Sequence, residues 1–217
     1  MTDPVIIGRV VSVNVGLIQT VEWFGRQVQT AIWKAPVEGP VAVAGVNLAG
    51  DDQADRRVHG GHDKAVYAYA IEDYRWWSSE LGMPFPAGTF GENLTTEGVD
   101  LAWAVIGERW RIGSAILEVS QPRMPCFKLG LRMGDSAFVD RFDEAGRSGS
   151  YLRIVDAGTV TAGDEISRVA QPDYPLTIGD LVEAQRRPTS DLLMRIAASE
   201  DVPPGWRNMA ERALARL

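Results

Sequence analysis

The sequence has very few of the residues that build disulfide frameworks or metal clusters. Its 217 residues include one cysteine, Cys126, and two histidines, His59 and His62. One cysteine cannot form an internal disulfide, which is typical of proteins from a reducing compartment. No apolar run approaches the roughly 20 residues that cross a bilayer, and the first residues lack a basic leader followed by an apolar segment. We therefore expect a cytoplasmic protein without membrane association.

Positive charge is also scarce. The chain has 22 Lys and Arg against 29 Asp and Glu, a net charge of −7, which argues against a nucleic-acid-binding surface. One segment departs from this balance, since five of the nine side chains from 56 to 64 can be cationic: Arg56, Arg57, His59, His62 and Lys64. The glycine pair Gly60-Gly61 would let backbone N–H groups approach an anion closely. The alternative is a solvated turn, but the segment as a whole favours an anion pocket for a phosphate-bearing cofactor.

Hydrophobic residues make up 45% of the chain and charged residues 24%, the ordinary balance of a folded protein. Up to about residue 170, short runs rich in Val, Ile and Trp alternate with turn signals, which predicts a closed sheet of short strands. The clearest runs cover residues 5–13, 27–33, 65–69, 108–112, 115–119, 151–155 and 165–169. Gly113-Ser114 between two of them predicts a two-residue hairpin turn. The fold class is therefore mainly β, a barrel into which helices are inserted.

Helical periodicity predicts two inserted helices, over residues 71–81 and 136–145. After a linker at 170–175 the pattern becomes helical, with helices predicted over 178–187, 191–199 and 206–216. Thr177, Ser190 and the pair Pro203-Pro204 stand at the predicted helix starts. We therefore predict two domains, a barrel over 1–170 and a small three-helix domain over 175–217.

Cys126 is the first candidate for chemistry. By composition alone a lone cysteine is usually a small buried hydrophobe. However, Cys126 follows a predicted strand, Pro122 and Pro125 stiffen the approach to it, and Arg123 and Lys128 could stabilise a thiolate. A rigidly presented thiolate suits a transition metal. A competing interpretation is a three-ligand zinc site formed by His59, His62 and Cys126, although the helix-borne His-Glu-x-x-His pattern is absent.

Two further segments carry polar groups whose simplest explanation is structural. The loop 88–95 holds the pair Glu92-Asn93 between an aromatic and an apolar residue, and alone it could be a plain turn. Lys34 ends a predicted strand, a position where lysine usually only promotes solubility. Neither segment identifies a function by itself.

Taken in order, four stretches resemble the MOSC domain family, and specifically its bacterial YiiM-like branch. They are residues 31–37 (AIWKAPV), 51–66 (DDQADRRVHGGHDKAV), 90–94 (FGENL) and 121–129 (QPRMPCFKL). Together they span about a hundred residues, within a core motif region of about 29–168. The three-helix tail after residue 174 also resembles the small C-terminal domain of this branch. One departure is His62, where a small or proline-like residue is expected.

The resemblance implies a distorted MOSC β-barrel that binds molybdenum cofactor (Mo-molybdopterin), with Cys126 as both the metal ligand and a catalytic residue. Asn93 and Lys34 are the candidates to donate hydrogen bonds to the substrate. The expected cofactor-binding set is Arg57, His59, Gly60, Gly61, His62, Lys64 and Arg123.

The resemblance also implies an oxidoreductase that reduces N-hydroxylated small molecules, such as hydroxylaminopurines and amidoximes, and so detoxifies N-hydroxylated bases. Electrons would come from a separate redox partner, a flavin or iron–sulfur reductase. A carrier or sulfur-transfer module that binds the cofactor without turnover is the main alternative. A zinc hydrolase and an interaction module are the others, and the sequence leaves the oligomeric state open.

Overall fold

A computed structural model describes residues 4–54, 60–173 and 175–216 of the protein. Thirteen strands lie in the described residues: β1 (Val5–Val15), β2 (Gln19–Trp23), β3 (Arg26–Thr30), β4 (Ala35–Pro36), β5 (Val41–Ala44), β6 (Asn47–Leu48), β7 (Val66–Ala70), β8 (Leu94–Glu97), β9 (Arg109–Ile112), β10 (Ala115–Pro122), β11 (Ser150–Asp156), β12 (Gly158–Val160) and β13 (Glu165–Ala170). The α-helices there are α1 (Ile71–Leu81), α2 (Phe127–Met133), α3 (Phe138–Ala145), α4 (Ile178–Arg186), α5 (Ser190–Ala198) and α6 (Pro204–Leu214).

Seven strands close into a barrel, which confirms the predicted fold class. Their order is β13-β9-β10-β11-β7-β8-β1, and β1 pairs again with β13. Every neighbouring pair is antiparallel except β7 and β8, which are parallel. Closure gives each of these strands a partner on both sides, so the barrel leaves few unpaired backbone groups at an edge.

The strands follow from the side-chain alternation. In β9, Trp110 and Ile112 are buried whereas Arg109 and Arg111 are exposed, the period of two that places alternate residues on opposite faces. The predicted turn at Gly113-Ser114 joins β9 to β10, and Gly113 takes the left-handed conformation, with a φ of 57°.

The inserted helices lie against one side of the barrel. α1 has the predicted bounds, and α3 begins two residues after its predicted start. Trp77 of α1 packs against Phe138 of α3 with ring centroids 4.9 Å apart, inside an aromatic cluster that also contains Tyr69 and Phe90. The predicted run at 27–33 overlaps β3, whereas helix α2, strand β2 and the turn that joins β2 to β3 are additional elements that the sequence patterns did not predict.

The predicted C-terminal helices are present as α4, α5 and α6. Thr177 caps α4 through a reciprocal pair of bonds with Asp180, and Pro204 is the first residue of α6. Buried residues of these helices belong to the same hydrophobic core as the barrel strands, for example Leu181, Leu193 and Ile196. The helices therefore pack both on each other and on the barrel, and the domain boundary at 170–175 stays a prediction. Within the described residues, no helix combines the length and apolarity that crossing a membrane would require.

The strand register joins five barrel strands in one row of paired residues. Pro122 of β10 pairs with Ser150 of β11, Ser150 with Ala68 of β7, Ala68 with Leu94 of β8, and Leu94 with Val13 of β1. The loops that carry the predicted site residues adjoin this row.

Candidate functional site

A cavity of about 100 Å³ lies beside this row of paired residues. Five of the predicted site residues line it: Lys34, Lys64, Asn93, Arg123 and Cys126. They come from segments up to 92 positions apart in the chain (126 − 34), so the fold gathers them from four separate loops. The candidate site thus contains the thiol and four of the predicted polar side chains in one place.

Cys126 is held at the start of a helix. β10 ends at Pro122, and after Pro125 the chain turns into α2 directly behind Cys126, whose carbonyl accepts a hydrogen bond of 2.8 Å from Leu129 N–H. Proline fixes φ on the approach, so few backbone conformations are open to the residue before it or to the proline itself. Cys126 is partly exposed, and its side chain lines the cavity rather than the protein core.

Lys34 and Asp51 form a buried ion pair at the cavity wall. The Lys34 ammonium contacts Asp51 Oδ1, and their side chains are only 8% and 1% exposed. The same carboxylate accepts hydrogen bonds from Gly16 N–H at 2.8 Å and from Asn93 Nδ2 at 2.9 Å. Asp51 is therefore the group that connects the two predicted substrate donors.

Asn93 is fixed between β7 on one side and the end of β1 on the other. Its backbone N–H donates to Tyr67 O at 2.8 Å, and its side-chain Oδ1 accepts from Tyr67 N–H at 3.1 Å. Its Nδ2 donates to Asp51 and, at 3.3 Å, to Asn14 O. Both donor hydrogens of the amide thus have protein acceptors, so the geometry gives Asn93 a structural task in addition to the predicted one.

Burial controls the protonation of Lys34. Desolvation lowers the pKa of Lys34 below its usual value near 10.5, and the charge and hydrogen bond of Asp51 partly oppose that shift. A lysine whose pKa is lowered releases its proton more readily than an exposed lysine does. The Lys34–Asp51 pair is therefore suited to holding and delivering a proton inside the cavity.

Arg123 is a buried cation with an unused donor. The residue is 6% exposed, and its guanidinium lies over the rings of Tyr67 and Phe142, at 5.4 and 5.3 Å from their centroids. Its Nη1 has no hydrogen-bond partner. A buried donor without a partner costs free energy, and this one belongs to a residue that lines the cavity, where an anionic group could accept its hydrogen bond.

Tyr67 and Tyr151 add two phenols to the lining. They are paired across β7 and β11, with ring centroids 5.2 Å apart. Burial raises the pKa of both tyrosines above the ordinary value of 10.0. Both phenols therefore stay neutral and can act only as hydrogen-bond partners and as walls near neutral pH.

The glycine-histidine segment contributes mainly Lys64. Residues His62–Lys64 form one 3₁₀ turn after Gly61, whose φ is 93°, and Lys64 N–H donates to Gly61 O at 3.1 Å. Desolvation lowers the pKa of Lys64, and Asp63 partly opposes that shift.

The other predicted members of this segment are placed differently. Gly60, Gly61 and His62 are not among the residues that line the described cavity, and the side chain of His62 is 65% exposed. Arg57 and His59 lie outside the described residues. Their predicted roles therefore stay predictions.

The lining is electropositive although the whole chain is acidic. It contains four cations, Lys34, Lys64, Arg123 and Lys128, and two carboxylates, Asp51 and Asp52, which sum to +2. The whole chain carries −7. This contrast favours an anionic occupant. In the described part of the chain no three His, Cys, Asp or Glu side chains are grouped to hold a metal ion, and since His59 is outside that part, the zinc alternative stays untested.

Sequence reasoning did not assign several of the lining residues to the site, among them Asp51, Tyr67 and Tyr151. Asp51 begins a run with three aspartates in five residues, a composition that usually indicates a solvated turn. Tyr67 and Tyr151 lie in strands where aromatic residues are common, so their types carried no functional signal. Only the pairing of β7 with β11 and the turn after β6 reveal that these side chains face the cavity.

Comparisons with known proteins agree with the fold. A family model described as "MOSC domain" matches residues 55–167. The protein YflK of Bacillus subtilis, described as uncharacterized, is 36% identical over 169 residues, which cover 78% of this chain and 76% of the relative. A protein of Gibberella moniliformis named "Reductase" is 32% identical over 193 residues, covering 80% of this chain but only 34% of that longer protein. The crystal structure of YiiM from Geobacillus stearothermophilus superposes with a TM-score of 0.80 at 31% identity, covering 95% of this chain and 99% of that one.

Proposed function

This chain belongs to the MOSC domain family, and on that basis we propose that it is a molybdenum-cofactor-dependent reductase of N-hydroxylated compounds. One observation carries the proposal: Cys126 shares a single electropositive cavity with the buried pair Lys34–Asp51. A thiol supplies a soft ligand for a metal, and the pair supplies a proton donor in the same cavity. MOSC domains are associated with molybdenum cofactor in general, and a relative bears the name "Reductase".

The chemical character of the lining fits the cofactor. A pterin cofactor with dithiolene sulfurs and a phosphate is anionic, and the lining is cationic with one unpartnered guanidinium nitrogen, Arg123 Nη1. Cys126 would ligate the metal, while Arg123 and Lys64 would contact the anionic groups. The described cavity, about 100 Å³, is smaller than the ~300–1,000 Å³ of most small-molecule sites. Its described walls alone therefore hold only part of such a group.

Reduction of R–NH–OH to R–NH₂ and water consumes two electrons and two protons. When bound, the cofactor would supply the two electrons that cleavage of the N–O bond requires. The protein must supply a proton to the hydroxyl oxygen, because water is a much better leaving group than hydroxide. Lys34 Nζ is the donor that the geometry favours for this step.

Asp51 holds Lys34 in place and keeps its charge paired between turnovers. Asn93 in turn donates to the other oxygen of Asp51, at 2.9 Å, which fixes the plane of the carboxylate. Asn93 thus acts on Lys34 through Asp51, and any bond it makes to substrate would replace one of its present acceptors. The phenol of Tyr151 remains neutral and can donate to a bound polar group, whereas the Tyr67 hydroxyl already donates to the Ser148 carbonyl at 2.9 Å.

The two electrons would arrive from a separate redox protein, a flavin or iron–sulfur reductase. The relative named "Reductase" is much longer than this chain, which covers 34% of it. A relative of that length has room for further domains beside the matched region, which is compatible with electron delivery from another protein or domain.

The test is turnover of a hydroxylaminopurine and of an amidoxime by molybdenum-loaded protein with a chemical reductant. We expect Lys34→Met to keep its molybdenum and to lose about 10²-fold or more in kcat, the typical contribution of a general acid. Because the protonated ammonium is the donor, the wild-type rate should fall as the pH rises through the lowered pKa of Lys34. Arg111→Met, on the outer face of β9, is the matched control. Wild-type protein that binds molybdenum but reduces neither substrate would instead support the carrier function.

A further inference from the structure

We propose that the C-terminal helices position the 3₁₀ turn His62–Lys64, called the Lys64 turn below, at the wall of the cavity. They do so through two hydrogen-bonded bridges that both end on Asp63. The Gln121 bridge runs from Trp206 of α6 through Gln121, and the Arg153 bridge runs from the α5–α6 connection through Arg153. The inference gives the C-terminal helices a task at the site, and its main test does not depend on the proposed reaction.

The Gln121 bridge uses both ends of one buried amide. Trp206 Nε1 donates to Gln121 Oε1 at 2.8 Å, and Gln121 Nε2 donates to the backbone carbonyl of Asp63 at 3.3 Å. The indole can only donate, so it fixes which end of the amide faces α6 and which faces the turn. Trp206 is 9% and Gln121 7% exposed, so water competes little for these bonds.

The Arg153 bridge uses all three nitrogens of one guanidinium. Nε donates to Asp63 Oδ1 at 2.7 Å, Nη1 donates to Glu118 Oε1 at 2.8 Å, and Nη2 donates to the Asp201 carbonyl at 3.0 Å. The Arg153 side chain is 11% exposed. Asp201 lies between α5 and α6, so this bridge joins the same turn to a second point of the C-terminal helices.

The two bridges hold Asp63 by both its backbone and its side chain, and the next residue, Lys64, lines the cavity. A single 3₁₀ turn has little stability of its own. Gln53, in the segment after β6, also donates a hydrogen bond from Nε2 to Lys64 O at 3.2 Å, so a third contact holds the turn. Loss of one bridge should therefore loosen the turn without releasing it.

Apolar packing alone does not explain this arrangement. Leu181, Leu193, Ile196 and Ala210 already join the helices to the barrel core. Apolar contacts are non-directional, whereas the two bridges converge on one residue. The consequence is that the C-terminal helices, distant in sequence, determine where the Lys64 backbone lies at the cavity wall.

Hydrogen exchange of the full-length chain without cofactor tests the inference. Trp206→Phe removes the N–H donor and keeps most of the ring, and Gln121→Met removes both bonds of the amide and keeps its length. We expect the amides of residues 60–65 to exchange about five- to tenfold faster in each variant, the effect of one lost hydrogen bond. The amides of α4 and α6 should keep their protection in Gln121→Met.

The matched control is Trp110→Phe, because Trp110 Nε1 makes an indole bond of the same length, 2.8 Å, to Glu108 Oε1 and does not contact the turn. Should exchange at 60–65 rise no more in Trp206→Phe and Gln121→Met than in Trp110→Phe, the inference is wrong. If Trp206→Phe unfolds, Gln121→Met alone decides between these outcomes.

Cofactor-loaded protein provides a second readout, which rests on the proposed function. Trp206→Phe should release molybdenum about five- to tenfold faster, while kcat per bound molybdenum stays unchanged, because Trp206 touches neither the cavity nor Lys34. Faster exchange at 60–65 in a protein that never binds molybdenum would support the inference and refute the proposed function. Normal exchange together with normal release would refute the inference alone.

Discussion

At the scale of single residues, the pair Lys34–Asp51 is the least replaceable part of the site. Two charges that are 8% and 1% exposed stabilise each other, and removal of one leaves the other uncompensated. We expect Lys34→Met to lower the free energy of unfolding by about 3–5 kcal/mol, the usual cost of breaking a buried ion pair. Urea denaturation measures the loss.

The double variant Lys34→Met/Asp51→Asn tests whether the uncompensated charge of Asp51 causes this loss of stability. A neutral pair removes the uncompensated charge, so most of the lost stability should return. If the double variant instead loses, relative to wild type, the sum of the two single-variant losses, the two residues do not act as a pair.

Glu92 is a buried carboxyl group next to Asn93 in the sequence, but it does not line the cavity. The residue is fully buried, and its Oε1 accepts from Tyr74 Oη at 2.5 Å, Gly88 N–H at 2.7 Å and Thr95 Oγ1 at 2.8 Å. Its Oε2 has no partner. Burial raises the pKa of Glu92 above the usual 4.5, although these donors lower it in part.

A group whose pKa is raised on folding stabilises the protein only while it is protonated. The contribution of Glu92 is therefore complete below pH 4.5 and is lost as the pH rises toward its folded pKa. Glu92→Gln has no such dependence. The stability of Glu92→Gln relative to wild type should increase between pH 5 and 8, by about 1.4 kcal/mol for each unit of pKa elevation within that window. Urea denaturation at several pH values checks this, and a difference that stays constant with pH would contradict it.

At the scale of elements, the loop before β8 needs glycine at position 88. Gly88 has a φ of 84°, and a Cβ there would lie 2.5 Å from the Lys34 carbonyl oxygen. We expect Gly88→Ala to lose about 2 kcal/mol or more of stability and to displace Lys34, since it combines a left-handed alanine with a backbone clash. Thermal denaturation and kcat per bound molybdenum measure the two effects.

Gly82→Ala separates the effect of backbone strain from the effect of the steric clash. Gly82, just after α1, has a φ of 67° with nothing within 4 Å of a Cβ, so its substitution adds strain without a clash. It should cost about 1–2 kcal/mol and leave turnover unchanged. Equal losses of turnover in the two variants would contradict the account of Gly88.

The elements differ in how clearly the sequence encodes them. The β9–β10 hairpin has alternating burial and a Gly-Ser turn, so both strands and the turn were predicted. The β2–β3 hairpin turns at Phe24-Gly25, and Phe24 takes a φ of 48°, which phenylalanine seldom adopts. The run at 27–33 predicted β3, but no local pattern indicated β2 or this turn. Helix α2 spans only seven residues, including Gly130, which is too short for a helical period to appear.

The candidate site likewise has features that the sequence predicts and features that it does not. Resemblance of motifs selected Lys34, Lys64, Asn93, Arg123 and Cys126, and the structure brings these five to one cavity. Their hydrogen-bond partners could not be predicted, because Asp51 reaches Lys34 only through strand pairings distant in sequence. Motifs thus identify which side chains matter, whereas the tertiary fold determines what each of them contacts.

At the scale of the whole molecule, the strand register brings the site residues together and the charge distribution favours an anion there. The loops next to the row that joins β10, β11, β7, β8 and β1 supply polar residues to one cavity. A chain with a net charge of −7 then presents a cavity whose lining sums to +2, which attracts an anion to the cavity and repels it elsewhere.

The most direct test of the central claim is the molybdenum and pterin content of protein purified from cells that make the cofactor. The wild-type protein should contain molybdenum and pterin near one equivalent each. Cys126→Ser should remain folded but lose most of its bound molybdenum. Equal molybdenum in Cys126→Ser and wild type would contradict the assignment of Cys126 as the metal ligand. Zinc in place of molybdenum, with no pterin and with a dependence on His59, would contradict the reductase and support the hydrolase.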